Sequence, residues 1–392
     1  MRIVRLNDSV RPPSLIEDEA PQPLPGRGEV LVRVCAAGVT LTELSWFPTS
    51  HGKTGDARHG AVPTHEFSGV VAGCGEDVGG LAIGQEVFGM NDWYSEGALA
   101  EFCIAPWFAV APKPRRLTHF EAASVPISAL TAWQGLFDRA KLQAGERVLV
   151  HGGAGAVGVF AIQLARVHGA RVIATASERN RGFAASLGAE QVIDYRQSRF
   201  EECVSGVDVV FDTVGGDTLE RSRGVLKSGA RMVTIATIAT IATIASSAGQ
   251  SEAFFIVEPN QKQLISIADL LDAGTLRPVV DSVLSLSQAP DVFAGKVQKR
   301  GRGKVVIAVR LPAPLPPSPD GMHAQQRPEA AATGVYGIRQ ESIPHGSFAD
   351  RRYRSGGARH DGSDRLVESR SPDRRRSGRS RPYGGRRPRV SR

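Results

Sequence analysis

The chain has 392 residues, room for two domains, with 48 Lys and Arg against 40 Asp and Glu and a formal charge of +8. That charge is unevenly spread: the last 82 residues hold 17 Arg, no Lys and 8 acids, whereas the preceding 310 carry 31 basic and 32 acidic residues. Composition therefore excludes a strongly basic body, and any nucleic-acid contact is expected only of the tail. Cys35, Cys74, Cys103 and Cys203 lie far apart with no C-x-x-C pair, which fits reduced thiols better than a disulfide framework and leaves no zinc-ribbon spacing. No apolar signal segment opens the chain, and its longest weakly polar run, 232–245, is too short to span a bilayer. A cytoplasmic protein without membrane contact is expected.

In chain order, short β-prone runs at 30–35, 67–72, 86–88 and 98–104, separated by Gly and Pro, predict a mostly β domain. From residue 120 the texture changes. Helix 121–140, strand 147–151, helix 157–168, strand 171–175, helix 179–187, strands 191–193 and 207–211, helix 218–226 and strand 231–235 alternate as in βαβ units of a parallel sheet. A helix over 261–273 and a strand over 304–309 close the body. Residues 234–245 are four tandem Thr-Ile-Ala copies, whose period of three matches neither strand nor helix; the repeat reads as an expanded strand end. The tail, 311–392, is rich in Arg, Pro, Ser and Gly, cannot bury a core and is expected to be disordered.

After the strand at 147–150 stands Gly153-Ala154-Gly155-Ala156-Val157-Gly158, a G-x-G-x-x-G between strand and helix. The first Gly is assigned to the tight turn, the second to backbone approach to a pyrophosphate and the third to packing of helix on strand, with the helix N-terminus attracting the anion. An NAD site would place an acid at the tip of the second strand. Here that strand ends at Ala176-Ser177 with Arg179 beyond, which suits the 2′-phosphate of NADPH. Glu178 opposes this if its carboxylate turns inward, and Arg179 could equally start an exposed helix.

The order of these motifs, with Val-Ile-Asp-Tyr at 192–195 and Val-Asp-Val-Val-Phe-Asp-Thr-Val-Gly-Gly at 207–216, resembles the medium-chain dehydrogenase/reductase superfamily, in its zinc-free quinone oxidoreductase branch. The resemblance covers about residues 3–309. It implies a GroES-like β domain (1–121, completed by a return segment at 278–310) and a Rossmann doubly wound parallel sheet (122–277), with the active site in the cleft between them. Zinc dehydrogenases of the superfamily hold a catalytic metal with a Cys, a His and a third ligand that is often Cys. This sequence has Thr40 at the first position, keeps His65 beside Glu66, and has no Cys in 124–128, so no metal is expected and His65 reads as structural.

Without a metal, hydride transfer from NADPH to a small quinone or α,β-unsaturated carbonyl is the implied reaction, with the protein orienting the acceptor. Hydroxyls of Thr40, Thr42, Ser45 and Tyr94 are the candidate polarising groups, although the family usually reads Asn where Thr40 stands and Asp where Glu43 stands. The resemblance also places Tyr195 beside the adenosine phosphate, Asn260 near the nicotinamide end, and the chain in a homodimer. Two other readings stay open: a catalytically silent nucleotide-binding protein with a nucleic-acid-binding tail, and a zinc-dependent alcohol dehydrogenase.

Overall fold

The computed structural model describes residues 1–10, 14–236 and 254–310. The tail and the last three Thr-Ile-Ala copies, on which two of the expectations above fall, lie outside the described residues.

The chain opens with a hairpin that the hydropathy pattern does not announce. β1 (Arg2–Asn7) and β2 (Ser14–Glu19) pair antiparallel, burying Val4, Leu6 and Leu15. β3 (Glu29–Gly38), β4 (Glu66–Cys74), β5 (Glu86–Met90), β6 (Phe102–Pro106) and β7 (Val110–Pro112) follow. The predicted strand at 98–104 thus begins later, at Phe102, because residues 98 and 99 donate their amides to Thr64 and Pro63 in a loop contact instead.

β8 (Arg147–Val150), β9 (Arg171–Ala176), β10 (Gln191–Asp194), β11 (Val207–Asp212) and β12 (Leu226–Thr234) form a five-stranded sheet in the order β10-β9-β8-β11-β12, and every pair is parallel. Strands such as Arg147-Val-Leu-Val are apolar on both sides because helices cover both faces. On one face the helix Ala156–Val167 packs Val159, Ile162 and Leu164 into the larger core. On the other, Leu149, Ile173, Val210 and Phe200 form a smaller one. This is the doubly wound arrangement expected.

The predicted helix 121–140 is three pieces. His119–Ala123 carries a capping box between Thr118 and Glu121, a second helix restarts at Pro126 and runs to Trp133, and Gln134–Arg139 widens into a π turn. Pro126 lacks the amide needed to continue the first helix but suits the start of the second. Gly135 lets the π turn lie on β11, since a Cβ there would stand 2.1 Å from the Phe211 ring. The predicted helix 218–226 is likewise shorter, Asp217–Ser222 and a 3-10 turn, so β12 begins five residues earlier than the pattern suggests.

The chain then returns. β13 (Val280–Ser285) and β14 (Lys304–Ala308) add to the N-terminal sheet, which runs β13-β14-β3-β4-β5-β7 with β6 also on β3. Immediately before β14, Gly303 bridges to Gly155 and donates to the Ala154 carbonyl (2.9 Å). The two sheets therefore meet where the glycine turn, the start of β14 and the end of β3 come together. Among the described residues no helix is long and apolar enough to cross a membrane.

Candidate active site

At the glycine turn the left-handed residue is Gly152 (φ 73°), one position before the G-x-G-x-x-G motif. The tight-turn role assigned to Gly153 therefore belongs to its neighbour. Gly153 serves close packing instead, since a Cβ would lie 3.0 Å from Ala174 Cβ and Ile162 Cδ1. Gly158 has the packing role expected of it: a Cβ would be 2.2 Å from the Gly152 carbonyl oxygen. Gly155 caps the helix Ala156–Val167 without a side chain, so the first-turn amides stay open for an anion. Ala154 and Ala156 are small enough to leave that approach clear, and Val157 packs toward the core.

A buried polar chain holds the turn from below. Ser222 Oγ donates to the Thr218 carbonyl (2.7 Å), so it accepts from His151 Nε2 (2.9 Å); His151 Nδ1 then accepts from Thr175 Oγ1 (3.2 Å), which accepts the Gly152 amide (3.2 Å). The neutral His151 tautomer fits every link. Burial lowers its pKa to about 4, against a smaller opposing pull from Asp212. Asp212 itself folds the next turn, accepting amides of Val214 and Gly215 and the Thr234 hydroxyl.

Above this chain a cavity of about 500 Å³ is lined by His151, Gly152, Thr175, Tyr195, Arg199 and Val214, among others. Tyr195 stands on its rim, 56% exposed, with the Arg196 guanidinium over its ring. At the tip of β9, Ser177 is buried and Arg179 exposed. The Glu178 carboxylate pairs with Arg181 Nε at 2.8 Å, which gives it a cation of its own outside the turn. Arg302 binds the Arg179 carbonyl (2.8 Å) and the Asn180 side chain (2.7 Å), tying this turn to the segment that precedes β14. Backbone, helix terminus, cavity and Ser177–Arg179 together fit a phosphorylated dinucleotide.

At the other end of the cleft Lys304, at the start of β14, donates to Thr40 Oγ1 (3.2 Å) and is ion-paired with Glu66 of β4; Lys304 and Glu66 are both buried. Glu66 reaches Lys304 across β3 because Gly38, level with both strands, has no side chain; a Cβ there would be 2.8 Å from Glu66 Cγ. The Ile127 amide at the start of the helix Pro126–Trp133 binds the second oxygen of Glu66 (3.0 Å). Burial pushes the Glu66 carboxyl up, opposed by Lys304 and that amide.

His65 lies beside this cluster, buried, with Nδ1 2.5 Å from Glu43 Oε1 and Nε2 3.2 Å from the Ser95 carbonyl. The superfamily's catalytic zinc can be tested against these contacts. Both ring nitrogens are already taken up by protein oxygens, Glu43 Oε1 on one side and the Ser95 carbonyl on the other. The neighbouring Thr40 is engaged by an ammonium group, and among the described residues no three His, Cys, Asp or Glu side chains group as metal ligands. The residues present do not fit a catalytic zinc.

Of the other predicted residues, Ser45 is exposed and closes its own turn on the Thr42 carbonyl (2.6 Å). Tyr94 is half-buried in the loop after β5, with Lys53 Nζ 5.8 Å from its ring centroid. Asn260 caps the helix Gln261–Asp272, accepting the Gln263 amide (3.1 Å). The structure thus brings Thr40 into contact with the segment that touches the glycine turn, and gives Ser45 and Asn260 local backbone partners. Sequence reasoning missed Lys304 and Arg302, and singled out Glu43 without giving it a partner. The one available signal was a lysine opening an otherwise apolar strand.

Residues 26–115 match the alcohol dehydrogenase GroES-like domain and residues 187–307 a zinc-binding dehydrogenase model. The chain is 30% identical over 324 residues to the mitochondrial NAD(P)H oxidoreductase RTN4IP1 of Danio rerio, covering 72% of this chain and 84% of that one. It is 32% identical over 317 residues to the 2-methylene-furan-3-one reductase of Solanum lycopersicum, covering 78% and 75%. Among solved structures, the quinone oxidoreductase from Coxiella burnetii superposes with a TM-score of 0.68 at 32% identity, over 79% of this chain and 100% of that one. The chain belongs to the medium-chain dehydrogenase/reductase superfamily, as an oxidoreductase of its quinone oxidoreductase-like branch.

Proposed function

We propose that this protein is an NADPH-dependent, zinc-independent reductase of small quinones or α,β-unsaturated carbonyl compounds. The observation that carries the reading is the Lys304–Thr40 contact: at the position where the resemblance would put the first zinc ligand stands a hydroxyl that accepts a hydrogen bond from a buried cation. The relatives named above, a quinone oxidoreductase and a furanone reductase among them, support the acceptor class.

NADPH, when bound, supplies hydride at its nicotinamide. The glycine turn and the open first turn of the helix Ala156–Val167 hold the pyrophosphate. Ser177 and Arg179 receive the 2′-phosphate, a role supported by the pairing of Glu178 with Arg181. Tyr195 walls the adenosine side. Thr40 directs its hydroxyl to the acceptor carbonyl, lowering the cost of negative charge on that oxygen as hydride arrives. Tyr94 stands as a second hydroxyl donor to the acceptor, Ser45 spends its hydroxyl on the Thr42 carbonyl, and Asn260 caps the helix Gln261–Asp272.

Following NADPH absorbance against a panel of quinones, enals and enones tests this, with primary alcohols plus NADP and metal analysis of the purified protein alongside. Turnover of at least one carbonyl acceptor without zinc is expected. Silence across the panel refutes the reductase, and alcohol oxidation with stoichiometric zinc refutes the metal-free reading.

A further inference from the structure

Lys304 is a buried cation with three features beyond those of a structural ion pair. Its ammonium spans Glu66 and Thr40, residues 238 and 264 positions away, and only the Glu66 contact serves charge neutralisation. The Thr40 oxygen that accepts from Lys304 keeps its own hydrogen, and among the described residues no acceptor takes it. The segment just before Lys304 is tied down on two sides: the Gly303 amide to Ala154 and the Arg302 guanidinium to Arg179 and Asn180 at the cofactor turns, and the amides of Arg300, Gly301 and Arg302 to the buried Asp281 carboxylate of β13 (2.6 to 3.0 Å). A lysine that needed only to neutralise Glu66 would not require either the Thr40 contact or so exact an anchor.

We propose that Lys304 is a positioning residue for the reaction: by donating to Thr40 Oγ1 it fixes the hydroxyl rotor and aims its hydrogen into the cleft at the acceptor carbonyl. This rests on the reductase reading above and names the group that prepares its donor. In the reduction, the new C–H bond forms at the β-carbon with the hydride pair, the C=C π pair shifts onto the α-carbon and carbonyl oxygen, and the α-carbon takes its proton from water. Lys304 and Thr40 keep their protons throughout and contribute hydrogen bonds only. A hydroxyl already donated to by an ammonium group is a stronger donor than a free one, because each bond polarises the next.

The test uses Lys304→Met combined with Glu66→Gln, so that no unpaired carboxylate is left buried. With NADP bound, no hydride is available, and cyclohex-2-enone labelled at its carbonyl carbon reports the hydrogen bond through its C=O stretch in infrared difference spectra. The wild-type complex is expected to shift that band to lower frequency, and the double variant to move it back. With NADPH, kcat is expected to fall about tenfold or more, the worth of one hydrogen bond to a charged group, while NADPH affinity is unchanged. Lys304→Arg should restore part of both effects. In a Thr40→Val background the Lys304/Glu66 change should cost little further, because the two act as one unit.

A carbonyl band that does not depend on Lys304, or an undiminished loss in the Thr40→Val background, overturns the proposal. Absence of any band shift in the wild type does so as well. A Lys304-dependent shift in a wild type that turns over no acceptor leaves Lys304 as the positioning residue and removes the reductase reading alone.

Discussion

At the nucleotide end of the cleft the contacts are made by backbone: Gly152 in a left-handed turn, Gly158 under the Gly152 carbonyl, and the uncapped amides of one helix. At the acceptor end they are made by side chains, and the residues that supply them, 40, 43, 65, 66 and 304, come from the starts of two strands, a 3-10 turn and the residues just before them. The first kind of site tolerates sequence change wherever a Cβ would still fit. The second fails when any one partner is lost, because each buried charge relies on another. This difference explains why the dinucleotide half can be read from one contiguous glycine motif, while the acceptor half, assembled from residues far apart in the chain, cannot.

The contrast can be broken by single changes. Lys304→Met alone should be the most damaging, destabilising by about 3–5 kcal/mol because Glu66 is left buried and unpaired; denaturant melts measure it, and a loss below about 1 kcal/mol would falsify the buried-pair account. Next is acid sensitivity at the nucleotide end. The folded pKa of His151 is lowered to about 4 from 6.5, so the unfolded chain binds more protons between these values. Its contribution, at most about 3 kcal/mol, is full above pH 6.5 and is lost as pH falls toward 4. His151→Asn should flatten that part of the stability–pH curve; an unchanged slope there would assign it to other groups.

Gly158→Ala should cost about 1–3 kcal/mol through its collision with the Gly152 carbonyl, seen as a roughly 5- to 150-fold weaker NADPH Kd by calorimetry. The smallest effect is expected of the exposed Arg179. Arg179→Ala should weaken NADPH about tenfold and leave NADH unchanged, the worth of one charge-assisted bond. Equal losses for both cofactors would show that Arg179 does not read the 2′-phosphate.

How much could be read beforehand follows from the same contrast. The glycine motif, the alternation of strands with helices and the hydroxyl at Ser177 are contiguous, so periodicity and spacing expose them. Even there the φ of Gly152 was hidden, because His151-Gly152-Gly153 offers two glycines and only the backbone path chooses between them. His65 reads as structural from the sequence, yet the partner that holds it, Glu43, stands 22 residues earlier and no local pattern links the two. Lys304 was invisible for a physical reason: its partners lie on strands adjacent only in three dimensions, reached across Gly38.

The distance in sequence between Thr40 and Lys304 has a consequence for biosynthesis. The five parallel strands, Arg147 to Thr234, can collapse on their own core once they have emerged from the ribosome. The acceptor end cannot exist until residue 304 has also emerged and β14 has slotted beside β3. During that interval Glu66 lacks its counter-charge and the end of β3, residues 36–38, lacks its neighbour, so the nascent N-terminal sheet carries a short open edge beside a buried charge, the moment at which a chaperone would be most needed.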